Sequence, residues 1–275
     1  MVIFQHEFML RAFLAALSMS IIAPLLGVFL VIRRQSLMAD TLSHVSLAGV
    51  ALGFVLNLNP NFTTFLIVVL AAIFLEYLRM LYKTYSEISI AILMSGGLAI
   101  ALVLMSLGKT DSAISMQQYL FGSIIMISWG QVKILAGLLL FLLLVFILFK
   151  RPMYIMTFDE ATAFVDGLPI RKMSIAFNMI IGVAISVMIP IAGALLVSAI
   201  IILPAAIGMR MGGSFTSVIF ISMIIGVVGM ISGLYSSFYL ETPAGASITL
   251  VFIFLFLIVN CFKTLHKLLN SPLKK

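Results

Sequence analysis

Apolar runs long enough to cross a bilayer recur along the whole chain, and they leave little choice of architecture. A run of about 20 residues rising ~1.5 Å each matches the ~30 Å hydrocarbon layer. Inside that layer every backbone N–H and C=O must find a partner within the protein, and a helix supplies one for each. Helices are read at about 11–32, 40–57, 62–82, 87–107, 131–149, 173–192, 214–234 and 246–263. The chain is 63% hydrophobic and 9% charged, with a mean hydropathy of +1.28, a balance no soluble domain of this size has. The expected fold is all-α, a polytopic membrane protein of 8–9 transmembrane helices with residues 1–275 as one transmembrane domain. Met1 to Gln5 has no basic region and no small-residue cleavage site, so the first helix is expected to serve as its own insertion signal.

A further apolar run, Gly193 to Leu203, is bounded by Pro190 and Pro204 and is short for a span. Such breaks fit a half-helix or re-entrant piece surrounded by protein. Counting it as a ninth crossing also orders the charges. With the loop after the first helix inside, Arg33, Arg34, Arg79, Lys83, Lys150, Arg151, Arg171, Lys172, Arg210, Lys263, Lys267, Lys274 and Lys275 fall inside. Only Arg11, Lys109 and Lys133 fall outside, a bias that puts the C-terminus in the cytoplasm. The net charge of +7 is therefore a topology signal and not a nucleic-acid footprint, though the basic loops can touch anionic lipid headgroups. Cys261, the single cysteine, allows no internal disulfide or thiolate cluster and is expected to pack as a small apolar residue. Gly49-x-x-x-Gly53 and Gly229-x-x-x-Gly233 are expected to bring helices close together.

Asp40 and His44 carry the first functional signal. Residues four apart share a helix face, so a carboxylate and an imidazole point the same way inside a membrane segment. Ionisable groups there are costly and mark substrate or proton paths, and this pair suits a divalent transition metal. The competing account has Asp40 capping the helix and His44 making a packing hydrogen bond.

Other polar stretches carry weaker signals. Thr157 to Pro169, with Asp159, Glu160, Asp166 and Gly167, reads as a short cytoplasmic helix stopped by Gly167 and Pro169, or as an ordinary solvated loop. Leu203-Pro204-Ala205-Ala206-Ile207-Gly208-Met209-Arg210-Met211, followed by Gly212 and Gly213, reads as a short amphipathic helix at the cytoplasmic surface, able to plug a partner's groove, or as a tight turn. Glu241, beside a Pro-Gly turn, is placed outside, where it could attract cations. His6, Glu7, Glu76 and His266 lie near helix ends, where solvation is the simpler account. Gly108-Lys109-Thr110 lacks the upstream glycine of a phosphate loop, since position 103 is valine, so no ATP site is expected on this chain.

Taken in order, these pieces resemble the permease subunit of bacterial ABC importers for zinc and manganese. The resemblance is carried by Gly27 to Arg34, by Asp40-Thr41-Leu42-Ser43-His44 through Gly49 to Gly53, and by Tyr119-Leu120-Phe121-Gly122-Ser123-Ile124. Gly193 to Val197, Leu203 to Ala206 and Glu241-Thr242-Pro243-Ala244-Gly245 add to it. It implies a build similar to cobalamin and siderophore importers, and a homodimer enclosing one path in a bacterial plasma membrane. It also implies two cytoplasmic ATP-binding cassette subunits, which hydrolyse the ATP, and an extracellular metal-binding protein. This chain would then be no enzyme and hold no permanent cofactor. Asp40 and His44 would meet the ion, Leu203–Met211 would couple to the ATPase, and Asp159–Gly167 would be a secondary contact. The Ala39 to Ser46 wording is closer to the zinc branch, so zinc is the expected cargo and manganese the alternative. Two other classes are weighed against it. A secondary transporter would often show an inverted repeat, and an intramembrane metallohydrolase would need a third ligand and a general base.

Overall fold

Helices account for nearly all of the chain that the structure, a computed structural model, describes: residues 7–82, 86–107, 119–122 and 124–270. They are α1 (Glu7–Ile32), α2 (Leu37–Val55), α3 (Pro60–Leu81), α4 (Ser86–Leu107), α5 (Trp129–Phe158), α6 (Glu160–Val165), α7 (Ile170–Ala192), α8 (Ala194–Met211), α9 (Phe215–Leu240) and α10 (Ala244–Asn270), with a single 3-10 turn at Ile124–Met126. Among the described residues there is no strand, and nine helices, all but α6, are long and apolar enough to cross a membrane. His6, Lys83, Gly108–Thr110, Ser123, Lys274 and Lys275 lie outside the described residues, as do the side chains of Glu160, His266 and Lys267.

Helix starts follow local chemistry. Asn59 caps α3, accepting from the Asn61 N–H, and Pro60 occupies the first helical position, where a missing N–H costs nothing. Ser128 and Gln131 form a capping box on α5. α5 is 30 residues, about 45 Å, so it overshoots the hydrocarbon layer and carries Lys150, Arg151 and Tyr154 beyond it. The sequence placed its end at 149.

The larger departure is α8. Gly193 to Leu203 and Leu203 to Met211 are not a re-entrant piece followed by a surface helix. They form one 18-residue helix with Pro204 inside it. A mid-helix proline removes one hydrogen bond and is tolerated in membrane helices where neighbours close around it. Pro204, Ala205, Ile207 and Gly208 are buried here. A Cβ on Gly208 would sit 2.0 Å from the Ser222 hydroxyl of α9.

Glycine sets how the helices meet. A Cβ on Gly27 of α1 would lie 1.8 Å from the Ile201 carbonyl of α8, so the two backbones touch. A Cβ on Gly49 or Gly53 of α2 would lie 2.7 Å from Thr64 Cα or 2.8 Å from Pro60 Cα of α3, and Gly229 and Gly233 seat α9 on Phe252 and Ile248 of α10. Both small-residue patterns therefore pack helices within the chain. At the end opposite Arg33, Gly193 (φ 83°) and Gly122 (φ 74°) face each other backbone to backbone, and Gly245 touches the Phe121 carbonyl. Three stretches far apart in sequence converge there.

Helices α1 and α2 form the centre, with 78% and 72% of their most apolar stretches buried, against 17%, 22% and 17% for α4, α5 and α10. The outer three present leucine and phenylalanine outward, as lipid-facing helices do. Cys261 is exposed on α10 and is not the packed residue expected. Arg33, Arg34, Arg79, Lys150, Arg151, Arg171, Lys172, Arg210 and Lys263 gather at one end of the bundle, hereafter the basic end, and contacts such as the Lys263 ammonium on the Arg210 carbonyl fix them there.

Gly193→Ala or Gly122→Ala will force a Cβ into backbone at a positive φ. The expected cost is about 3 kcal/mol or more, read as a lower unfolding midpoint or lost folded protein in detergent. Gly137→Ala, on α5 where a Cβ meets nothing within 4 Å, will leave the midpoint unchanged or raise it. Equal behaviour of the three variants would remove the glycine contact as the cause.

Candidate functional site

Asp40 and His44 are the fourth and eighth residues of the 19-residue α2, about 5 and 11 Å from its basic end, so Asp40 lies in the first turn and His44 close to the helix middle. They share a face, with His44 Nε2 3.8 Å from Asp40 Oδ2. That is too long for a hydrogen bond. Asp40 does not cap the helix either, since Ser36 holds the cap position. His44 Nδ1 is buried with no hydrogen-bond partner among the described residues. The capping and packing account of the pair therefore fails. Two donors each ~2.1 Å from one ion at a tetrahedral angle lie about 3.4 Å apart, so a few tenths of an ångström would let the pair share an ion.

The pair lies on the face of α2 away from α3. At 100° per residue, Gly49 and Gly53, which pack on α3, lie roughly 180–220° around the helix from Asp40. The side chains stay 41% (Asp40) and 31% (His44) exposed on a helix otherwise mostly buried. The hydroxyls of Thr41, Ser43 and Ser46 donate to carbonyls of their own helix. One turn beyond His44, Leu47 and Ala48 are buried with Ala101 beside Met105, Tyr119 and Leu120, an apolar seal on the side away from the basic end. No group of three or more His, Cys, Asp or Glu side chains comes together among the described residues. One copy offers two donors where a transition metal takes four or more.

The other expected residues are not gathered there. Glu241 is the C-cap of α9 at the opposite end, exposed and left-handed at φ 51°, its N–H donating to the Ser237 carbonyl. The Leu203–Met211 stretch is largely internal, and of its nine residues only Met209, Arg210 and Met211 are exposed. The exposed helix at the basic end is α6. Asp159 caps it, accepting from the N–H groups of Ala161 and Thr162. Hydrogen bonds from Thr162 and Ala161, the Thr162 hydroxyl first, hold the Asp159 carboxyl below its usual range. Phe164 and Val165 are 75% and 83% exposed. Gly167 (φ 74°) ends the segment, and Asp166 lines a cleft of about 330 Å³ with Arg151 and Leu168. Glu160 opens α6.

One set of residues escaped the sequence reading. Glu76 is not a solvated helix-end acid: it is fully buried. Its carboxylate accepts from Arg79 Nε (2.9 Å) and Nη2 (2.7 Å), from Ser174 Oγ (2.5 Å) and from Asn178 Nδ2 (2.5 Å). Arg33 Nη2 reaches Ser174 Oγ at 2.6 Å, and the Arg33 guanidinium lies over the Phe177 ring. A signal was present, since an acid three residues before an arginine in an apolar helix must be paired. The partners on α7 are too far away in sequence to be read.

Comparison with known proteins bears on the family and the fold. Residues 5–263 match the ABC 3 transport family. The chain is 29% identical over 260 residues to the high-affinity zinc uptake system membrane protein ZnuB of Buchnera aphidicola, covering 94% of this chain and 99% of that one. It is 26% identical over 247 residues to the manganese transport system membrane protein MntC of Halalkalibacterium halodurans, covering 90% and 84%. Among solved structures, PsaBC from Streptococcus pneumoniae in complex with Fab is similar with a TM-score of 0.81 and 29% identity, over 94% of this chain and 92% of that one. The chain therefore belongs to the ABC 3 transport family, the permease subunits of metal ABC importers.

Proposed function

We propose that this chain imports a divalent transition metal, zinc first and manganese as the alternative, as the membrane half of an ATP-driven transporter. The observation that carries the reading is the half-site: two donors on one face, 3.8 Å apart, half-open in a single copy. A two-fold homodimer would bring two such faces together and supply four ligands, two imidazoles and two carboxylates. That number suits zinc, and carboxylates release an ion more readily than thiolates would. Relatives named for zinc and for manganese leave the choice to measurement.

The basic end is taken as cytoplasmic by the positive-inside bias, in a bacterial plasma membrane with its lipid around α4, α5 and α10. ATP hydrolysis belongs to separate cassette subunits docking there, and an extracellular binding protein delivers the ion to the opposite end. α6 now takes precedence over Leu203–Met211 as the principal dock. It is a short exposed helix with two bare apolar side chains, whereas most of Leu203–Met211 faces other helices. Met209 to Met211 remain a secondary contact.

Asp40→Ala or His44→Ala will abolish ATP-driven zinc and manganese uptake in reconstituted vesicles while leaving assembly intact. Wild-type uptake of both metals by both variants would remove the pair from the path. Asp159→Ala will uncap α6 and reduce ATPase copurification, and Asp159→Ser, which still caps, will restore it. Equal loss in both would mean that the carboxylate meets the partner directly. At Glu241, Glu241→Gly fits the left-handed backbone and will keep or raise stability. If the carboxylate gathers cations, the same variant will slow uptake at low metal and low salt only.

A further inference from the structure

Ser174 occupies an unusual position in the buried cluster. A serine hydroxyl has one hydrogen to give and two lone pairs to receive. Ser174 uses all three across helices: it donates to Glu76 Oε1 at 2.5 Å and accepts from Arg33 Nη2 at 2.6 Å and Arg79 Nη2 at 3.1 Å. Gln35, its amide oxygen turned to the guanidinium, accepts from Arg79 Nη1 at 2.9 Å. Ser174 and Asn178 belong to α7, Glu76 and Arg79 to α3, and Arg33 and Gln35 to the turn between α1 and α2. Gln35 and Glu76 are 4% and 0% exposed.

The two ends of this network are what matter. α7 starts at Ile170, five residues after α6 ends at Val165, so α6 cannot be moved far without pulling on Ser174. Gln35 stands two residues before α2, and Asp40 follows three residues into it. The hydroxyl that reaches the α1–α2 turn from α7 is that of Ser174, beside the Asn178–Glu76 bond and the Phe177 ring under Arg33, and it lies on the polar route from the exposed helix α6 to the Asp40–His44 pair. Apolar side chains would join three helices at lower desolvation cost, because a buried ion pair gains little net stability. Directional hydrogen bonds differ from apolar packing in that they hold one geometry and break at another, as a switching element must.

We propose that Ser174 is a positioning residue for transport: its saturated hydroxyl ties α7 to the α1–α2 turn, so that movement of α6 and α7 at the basic end resets the angle of α2 and the placement of Asp40 and His44. This rests on the importer reading above.

The test uses the full permease reconstituted in vesicles with its ATPase and binding protein, and reads metal moved per ATP hydrolysed. Ser174→Ala removes the hub and leaves the Glu76–Arg79 pair on α3 in place. Ser186→Ala makes the same chemical change on the same helix, where the hydroxyl donates only to the Val183 carbonyl of its own helix. Ser174→Ala is expected to assemble and to hydrolyse ATP within about twofold of wild type while moving about tenfold less metal per ATP, the scale of ordinary coupling energies. Ser174→Thr, which keeps the hydroxyl, is expected to restore the ratio, and Ser186→Ala to leave it unchanged. Asn178→Ala cuts the other α7 contact to Glu76 and is expected to lower the ratio in the same direction, which decides the matter should Ser174→Ala fail to accumulate. An unchanged ratio would overturn the proposal. So would hydrolysis and transport falling together in step with the amount of assembled complex, since that is loss of structure alone. A wild-type protein that moves no metal would overturn the importer reading instead. Amide exchange across residues 37–44, which needs no cargo, would then still decide whether Ser174 holds α2: faster exchange in Ser174→Ala supports the tie, and equal exchange removes it.

Discussion

Close backbone approach between helices is the constraint on which the rest of this structure depends. Lipid tails are as apolar as leucine, so helices in a bilayer gain little from hiding apolar surface and must associate by packing and polar contact. Here glycines do the first. Gly27 lets α1 rest on the α8 backbone, Gly226 lets α9 rest on the Ser20 carbonyl of α1, and Gly49 and Gly53 admit α3 to α2. With those contacts in place α1 is held at backbone distance from α8 and α9, and α2 from α3, and the side chains on their remaining faces are committed to defined places. The polar contact is the Glu76 cluster, which closes α3 and α7 at the basic end.

The two charged features of the membrane segment obey opposite rules. Glu76 is fully enclosed, and each carboxylate oxygen has two donors. Asp40 and His44 are half-open and unbonded to one another, with an imidazole nitrogen left over. Buried charge without partners is costly, so a fully satisfied cluster reads as architecture or linkage. A pair left short of partners is the observation on which the proposed metal half-site rests. Buried Leu47, Ala48 and Ala101 place apolar packing between the pair and the end opposite the basic one.

The relation between α6 and α8 shows how an exposed surface is decided. Both segments carry proline or glycine breaks and both lie at the basic end. α8 lies inside because Gly208 leaves room for Ser222 of α9 at its surface and neighbours close around Pro204. α6 has no such partner, and its Phe164 and Val165 are left bare. A short capped helix with exposed apolar side chains is the surface a partner protein can use.

The sequence by itself determined the membrane class, the eight long helices to within a few residues at most ends, the need for a ninth crossing, the close packing at both small-residue patterns, the short helix before Gly167, and the shared face of Asp40 and His44. Each follows from a local rule: run length, i+4 periodicity, caps and breakers. Only tertiary structure decided that Pro204 lies within one continuous helix, that Glu76 is enclosed, and that the Tyr119–Gly122, Gly193 and Gly245 stretches meet. A proline is a break or a kink according to what surrounds it. An acid near a helix end is solvated or buried according to which helix lies alongside, and Ser174 is 98 residues from Glu76 along the chain. Contacts at that separation leave no mark in local periodicity, because they depend on how helices cross and not on how each one forms.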